Sequence, residues 1–239
     1  MSKLFKDGMT ESHYKYIGKG IYSIPEASRI IRVNYSTIKR WVSGYKYVYQ
    51  NERRVGLPVF EPDFEPIDNS YAISFLDLIE IRFVNAFLQY GVSLRKIRVA
   101  SAHAAEILEQ AHPFTTKKFH TDKRTILMDI AEAEDDSQLL DLVKDQYSLR
   151  QVFAPYLYAG LELTDGGTRR WWPMAPNKSI VIDPARSFGQ PILDIEGIPS
   201  ATIANSYKAE GDAGFVARWF GISQQAVTSA IEYEHSLAA

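Results

Sequence analysis

The chain has 239 residues, 46% apolar and 13% aromatic, enough for one large domain or two to three small ones around packed cores. Cysteine is absent, which excludes disulfides, thiolate metal sites and cysteine nucleophiles. No run approaches the ~18 apolar residues of a spanning helix, and the start lacks a secretory apolar run, so no membrane partner and a cytoplasmic location are expected.

The net charge of −2 is unevenly divided. Residues 1–60 hold eleven Lys and Arg against four Asp and Glu, a balance of +7, leaving −9 for residues 61–239. A basic head on an acidic body suits a polyanion at the head and a different partner at the body.

The head reads as two short helices and a hairpin. Ser23 or Ile24 occupies the cap region of the first helix, with Pro25 in the first turn and Ala27, Ile30 and Ile31 on its apolar face. Val33-Asn34-Tyr35 is a turn, with Asn34 suited to a left-handed position. A second helix opens at Tyr35 or Ser36, buries Ile38, Trp41 and Val42, and ends at Gly44. Ser36, Thr37, Lys39 and Arg40 point elsewhere, as on a helix that enters a DNA major groove. The run 45–49 alternates toward strand. A polar turn at 51–54 and a return strand through Val55, Leu57, Val59 and Phe60, marked as an edge by Pro58, complete a wing. The candidate DNA contacts are Ser36, Thr37, Lys39, Arg40, Lys46, Arg53 and Arg54, with Arg40 at a base edge or adjacent phosphate. Packing is the expected role of at least one face of the Tyr45, Tyr47, Tyr49 series.

After an extended bridge at 61–66, Ser74 caps a helix carrying Leu76, Ile79, Phe83 and Phe87, and Gly91 ends it. Ser93 caps a second with Leu94, Ile97, Ala100, Ala104, Ile107 and Leu108. These helices offer more apolar surface than a small winged head needs, which points to a homodimer; the alternative is that they only close the monomer core. Residues 20–110 resemble the MerR-type winged helix-turn-helix domain. The match rests on Tyr22-Ser23-Ile24-Pro25-Glu26-Ala27, Thr37-Ile38-Lys39-Arg40-Trp41, Asp77-Leu78 and Phe87-Leu88-Gln89-Tyr90-Gly91-Val92-Ser93-Leu94-Arg95-Lys96-Ile97. The resemblance implies binding to double-stranded DNA.

Beyond His112-Pro113, residues 117–120 and 125–128 read as two strands joined at 121–124. Asp135-Asp136-Ser137 precedes a short helix with Leu139, Leu140, Leu142 and Val143, a second follows at 146–157, and then a hairpin turns at Asp165-Gly166-Gly167, with Trp171 and Trp172 as packing residues. In the tail, 180–182 is a strand and 201–208 a helix. Asp212 caps a helix with Phe215, Val216, Trp219 and Phe220 that stops at Gly221, and Ser223 opens a third with Val227, Ala230 and Ile231. This tail resembles the domain of unknown function family numbered 433. The residues that carry the match are Ile182-Asp183-Pro184, Gly189-Gln190-Pro191-Ile192, Ile198-Pro199, Trp219-Phe220-Gly221-Ile222-Ser223, Val227, Ala230-Ile231 and Tyr233. The resemblance implies an antitoxin that neutralises a cognate PIN-like ribonuclease toxin by protein contact and represses their shared promoter.

No catalytic pattern stands out. None of the five histidines is spaced as a helix-borne zinc pair, and Glu132, Glu134, Asp135 and Asp136 read as a solvated run. No nucleophile elbow occurs, and Gly18-Lys19-Gly20 is too short for a phosphate loop. The sequence therefore predicts a non-enzyme without metal or cofactor. Its fold class is mainly α with small β elements: a winged helix-turn-helix domain with connector helices over 1–110, a small α+β unit over 111–178 and a trihelical unit over 179–239. Trp219, Phe220 and Tyr233 are placed at the toxin contact or in the tail core, with Trp219 expected inside. The alternative is that the tail faces DNA with Ser223, Gln224, Gln225 and Thr228. A stand-alone MerR-like regulator without a toxin, and a pure interaction module, are the competing functions.

Overall fold

A computed structural model describes residues 16–66, 70–89, 91–133 and 155–238. The helices expected at 139–143 and over the first part of 146–157 lie outside the described residues, as do Glu134, Asp135 and Asp136.

Strand β1 (Tyr22–Ser23) pairs antiparallel with β4 (Ala72–Ile73), joining the entry of the head to the segment that leaves it. Helix α1 (Ile24–Ile31) begins in a reciprocal cap. The Ser23 N–H donates to Glu26 Oε2 at 2.8 Å, and the Glu26 N–H donates to Ser23 Oγ. The left-handed residue of the following turn is Arg32, at φ 54°, and not Asn34. Asn34 is extended and caps α2 (Tyr35–Ser43), its Oδ1 accepting the Ser36 N–H at 2.9 Å. An Asn just before a helix serves as acceptor more readily than as turn residue, because α2 needs its first N–H groups satisfied. Ile38, Trp41 and Val42 are buried against α1, each contributing about 1.5–3 kcal/mol of burial.

The wing is the hairpin β2 (Tyr45–Tyr49) and β3 (Glu52–Gly56). Gln50 and Asn51 both have positive φ, so the reversal takes two residues. Glu52, Arg53 and Arg54 are consequently in the return strand and not in the turn. Val59 and Phe60 fall beyond that strand, where they enter the core, and the Val59 N–H donates to Trp41 O at 2.8 Å. Gly44 links α2 to the wing at φ 69°, and a Cβ there would lie 2.5 Å from the Gly56 carbonyl oxygen.

Helix α3 (Phe75–Gln89) is buried on nearly every turn, and α4 (Leu94–Leu108) buries Ile97, Ala100, Ser101, Ala104 and Leu108. The apolar residues that suggested a dimer, Ile79, Phe83, Phe87, Ile97, Ala104 and Leu108, thus close the monomer core; Ile107 stays exposed. The two strands expected within 117–128 are instead part of one helix, α5 (Lys117–Ala133), packed on α4. Thr116 caps it through the Phe119 N–H, and Phe119, Ile126 and Leu127 fall on one buried helical face. Spacing outweighs the β-branched residues that suggested strands.

After α6 (Pro155–Tyr158), β5 (Leu161–Thr164), β6 (Gly167–Trp171), β7 (Ile180–Ile182) and β8 (Pro191–Leu193) form an antiparallel sheet in that order. One core extends from Tyr22 through α3, α4, Phe114 and Phe119 to Trp171 and Ile182. A second gathers Ile180, Leu193 and the tail helices α7 (Ser200–Glu210), α8 (Ala213–Phe220) and α9 (Gln224–Ala238). Strand β7 is therefore shared between the two cores. The tail also touches the head directly. The Tyr22 hydroxyl donates to Gly189 O at 2.7 Å, and Arg29 lies 3.9 Å from Glu234 of α9. The fold is predominantly helical with small sheets, a winged head and a helical tail. Among the described residues no helix is long and apolar enough to cross a membrane.

Candidate nucleic-acid interface

The buried face of α2 fixes the direction of its other face. With Ile38, Trp41 and Val42 inside, Ser36, Lys39 and Arg40 are exposed and Thr37 is half-buried. Lys39 Nζ lies 6.0 Å from the centre of the Tyr35 ring, and the Arg40 guanidinium 6.0 Å from that of Tyr45. Each cation is thereby held beside an aromatic ring without being neutralised.

Pairing register divides the wing into two faces. Lys46 opposes Val55 and Val48 opposes Arg53 on one face, and all four are exposed. Tyr45 and Tyr47 lie on the other with Arg54, their rings 5.5 Å apart and reached by Arg40 from α2. The wing thus joins α2 through a tyrosine face and turns Lys46 and Arg53 outward. Arg54 is also 3.3 Å from Glu52 Oε2, so part of its charge is offset locally. All seven residues named from sequence as DNA contacts lie on α2 or the wing.

The tail residues separate. Tyr233 is buried and Phe220 half-buried, whereas Trp219 is 75% exposed. Trp219 is therefore not a core residue. Val216 and Ala217 supply the buried side of α8, and Trp219 stacks on Phe215 outside, ring centres 6.1 Å apart. Beside the pair is a cavity of about 200 Å³ lined by Ser206, Glu210, Val216 and Phe220. Phe215 was legible only as an apolar position, since helical spacing alone does not say how much of the face is covered.

A third constellation escaped the sequence, because its members lie on three segments. Asp63 follows the wing, Asp77 is in the first turn of α3, and His112 precedes the 3₁₀ turn Pro113–Thr115. His112 Nε2 is 3.4 Å from Asp63 Oδ2 and 3.7 Å from Asp77 Oδ1. Asp77 also accepts the backbone N–H of Ser74 at 2.8 Å and of Asp63 at 3.2 Å, and Lys19 lies 3.6 Å from Asp63. One turn further along α3, Glu80 is completely buried. Burial pushes Glu80 up to about 8 and Asp77 up to about 6. The contact with His112 holds Asp63 well below the usual carboxylate range. For His112 burial opposes the charge, but Asp63 and the fields of Glu80 and Asp77 win and raise its pKa. The one sequence signal was two carboxylates, Asp77 and Glu80, set among apolar residues at the start of α3.

Residues 20–101, which span the head and the first half of α4, match a family model described as “Putative DNA-binding HTH domain”. Over 223 residues the chain is 24% identical to “Putative antitoxin VapB45” of Mycobacterium tuberculosis (strain ATCC 25618 / H37Rv), covering 89% of this chain and 92% of that protein. The fold is similar to the X-ray crystal structure of RV2018 from Mycobacterium tuberculosis. Its TM-score is 0.67 at 21% identity, covering 88% of this chain and 96% of that one. The chain is thus similar over most of its length to a protein described as a putative antitoxin, and its head matches a model of a helix-turn-helix domain described as DNA-binding.

Proposed function

We propose that this protein is the antitoxin of a toxin–antitoxin pair. Its winged head binds double-stranded DNA at its own promoter and represses it, and its body neutralises a cognate PIN-like ribonuclease toxin. The observation that carries the DNA reading is the solvent face of α2: Ser36, Lys39 and Arg40 exposed together, beside a wing that carries Lys46, Arg53 and Arg54. Arg40 suits a base edge or a neighbouring phosphate, and Lys39 and the wing cations suit phosphate. This division of roles follows the resemblance of the head to MerR-type domains.

The toxin contact is assigned to the tail, in keeping with its resemblance to the antitoxin-associated family numbered 433. Phe215 and Trp219 form its exposed aromatic anchor, with Phe220 at the edge and Tyr233 as support beneath. The acidic body suits a toxin whose active surface is basic for RNA. A two-fold operator asks for a homodimer. Its contact surface is not the apolar faces of α3 and α4, which the monomer core consumes. The cytoplasm is the corresponding location.

Electrophoretic titration of the pure chain on the DNA upstream of its own gene tests the repressor. Binding at least about a thousandfold tighter than to scrambled DNA of equal length is expected near physiological salt. Equal affinity for both would overturn the promoter-specific reading. Co-expression with the adjacent toxin gene tests the pair, and failure to form a complex would favour a stand-alone regulator.

A further inference from the structure

We propose that Asp63, Asp77 and His112 form a binding site for one divalent cation of the zinc type. Its fourth coordination position opens onto the cavity between the head and the β5–β6 hairpin.

Geometry is the first support. The three ligand atoms lie within 4.8 Å of one another, and Nε2 is 3.4 and 3.7 Å from the two carboxylate oxygens. A tetrahedral ion with bonds of about 2.0–2.2 Å holds its ligands roughly 3.3–3.6 Å apart, so small side-chain shifts complete the set. Polar satisfaction is the second. The His112 side chain is only 4% exposed, yet neither ring nitrogen has a hydrogen-bond partner of good geometry. Buried ring nitrogens without such a partner are rare unless something binds them. Glu80 is buried beside the cluster, its carboxyl near the Phe114 backbone.

Charge is the third. Two carboxylates, Asp63 and Asp77, face one imidazole and the half-exposed Lys19. A dication compensates the two ligating carboxylates without burying a net charge. The site is also held in place around its ligands. The Ser74 and Asp63 N–H groups fix the Asp77 carboxylate, as outer partners do in metal sites. Access comes through a cavity of about 420 Å³, lined by Asp63, His112, Lys19, Thr168 and Arg169. An imidazole with two carboxylates favours zinc-type ions over calcium or magnesium, which prefer an all-oxygen shell. His112 is not part of a histidine pair, so helix-borne spacing could not reveal it.

The test uses the full chain stripped with chelator and titrated calorimetrically with Zn²⁺, with Mg²⁺ as control. Cobalt replacement, followed by visible absorption, reads coordination geometry. One Zn²⁺ per chain and a tetrahedral cobalt spectrum are expected. Asp63→Asn and His112→Gln should each weaken uptake by about tenfold or more, whereas His235→Gln leaves it unchanged. Asp63 lies in a partly exposed loop, so its variant keeps the test valid where His112→Gln perturbs folding, which circular dichroism monitors. Absence of saturable Zn²⁺ uptake by the wild type overturns the proposal, as does uptake unaltered by Asp63→Asn. Either result leaves Asp63 and His112 as a purely structural ion pair.

Discussion

Arg32 closes α1 in the left-handed region, and its guanidinium donates to the carbonyl oxygen of Ser236, 2.6 Å away on α9. With Arg29 beside Glu234, this contact ties the last helix of the chain to the first helix of the head. It also decides how head and tail are to be separated experimentally. Ending the chain near Asn177 removes β7 and β8, and with them Ile182 of the main core, so a truncation there tests folding as much as function. Point substitutions keep the fold in place.

Arg32→Ala should destabilise the chain by about 0.5–1.5 kcal/mol, since it loses one exposed hydrogen bond while the backbone strain at φ 54° stays as it is. Arg32→Gly loses the same bond but relieves the left-handed backbone, worth roughly 1 kcal/mol. Urea melts should therefore rank Gly above Ala. The reverse order would mean that Arg32 is not strained there.

On the wing, Arg53 and Arg54 differ although they are neighbours. Arg53 is exposed on the face with Lys46, and Arg54 shares its charge with Glu52. Arg53→Ala should lower the slope of log affinity against log salt by about one phosphate contact, with Arg54→Ala lowering it less. Glu52→Gln should raise affinity on any DNA sequence. An unchanged slope in both arginine variants removes the wing from the interface.

For the recognition helix, Arg40→Ala should cost about 1–3 kcal/mol on the operator if the guanidinium reads a base. It should cost less on a site changed at that base. Equal losses on both sites would assign Arg40 to phosphate. Because Arg40 also rests on Tyr45, a Tyr45→Leu variant distinguishes lost positioning from lost contact.

Local signals carried much of the fold. The Ser23–Pro25 start, the apolar face of Ile38, Trp41 and Val42, the Ser93 and Asp212 caps and the Gly221 stop all appear where helical chemistry puts them. What escaped depends on surroundings. Residues 117–128 hold too few apolar side chains to separate strand from helix until α4 supplies the packing surface. Trp219 and Phe220 are adjacent on α8 and equally apolar, yet Trp219 is outside because Val216 and Ala217 already fill the side facing the tail core. The Asp63–Asp77–His112 cluster depends on three connections closing at once, and no window of sequence contains it.

Burial of Glu80 makes stability depend on pH. Its folded value is pushed from an ordinary 4.5 up to about 8, so folding takes up a proton between those limits and stability falls as pH rises through them. Asp77, raised to about 6, acts the same way over a lower window. His112 is raised as well, so its contribution is present below its ordinary 6.5 and is lost as pH rises through its folded value. Asp63 is depressed and its stabilisation is lost only at acid pH. In chelator-treated protein the melting temperature should fall from about pH 5 to about pH 9, with a shallower fall in Glu80→Gln. Parallel profiles for the two proteins would show that Glu80 is not the group responsible.

Trp219 and Tyr233 separate binding from folding in the tail. Trp219 is 75% exposed, so its truncation to Ala should shift stability by only about 0.5–1 kcal/mol, mostly through lost stacking on Phe215. If the Phe215–Trp219 pair anchors the toxin, the same change should cost about 2 kcal/mol or more of complex affinity. Tyr233 is buried, and Tyr233→Ala should unfold or severely weaken the tail, by about 3–5 kcal/mol. Its hydroxyl is buried without a hydrogen-bond partner, so Tyr233→Phe should be neutral or stabilising and keep the complex. Calorimetric titration of toxin into each variant, after a thermal melt, decides the matter. Full affinity in Trp219→Ala moves the toxin contact away from α8. Loss of affinity in Trp219→Ala, with a preserved melt and unchanged operator binding, assigns that contact to the exposed aromatic pair and leaves DNA to the head.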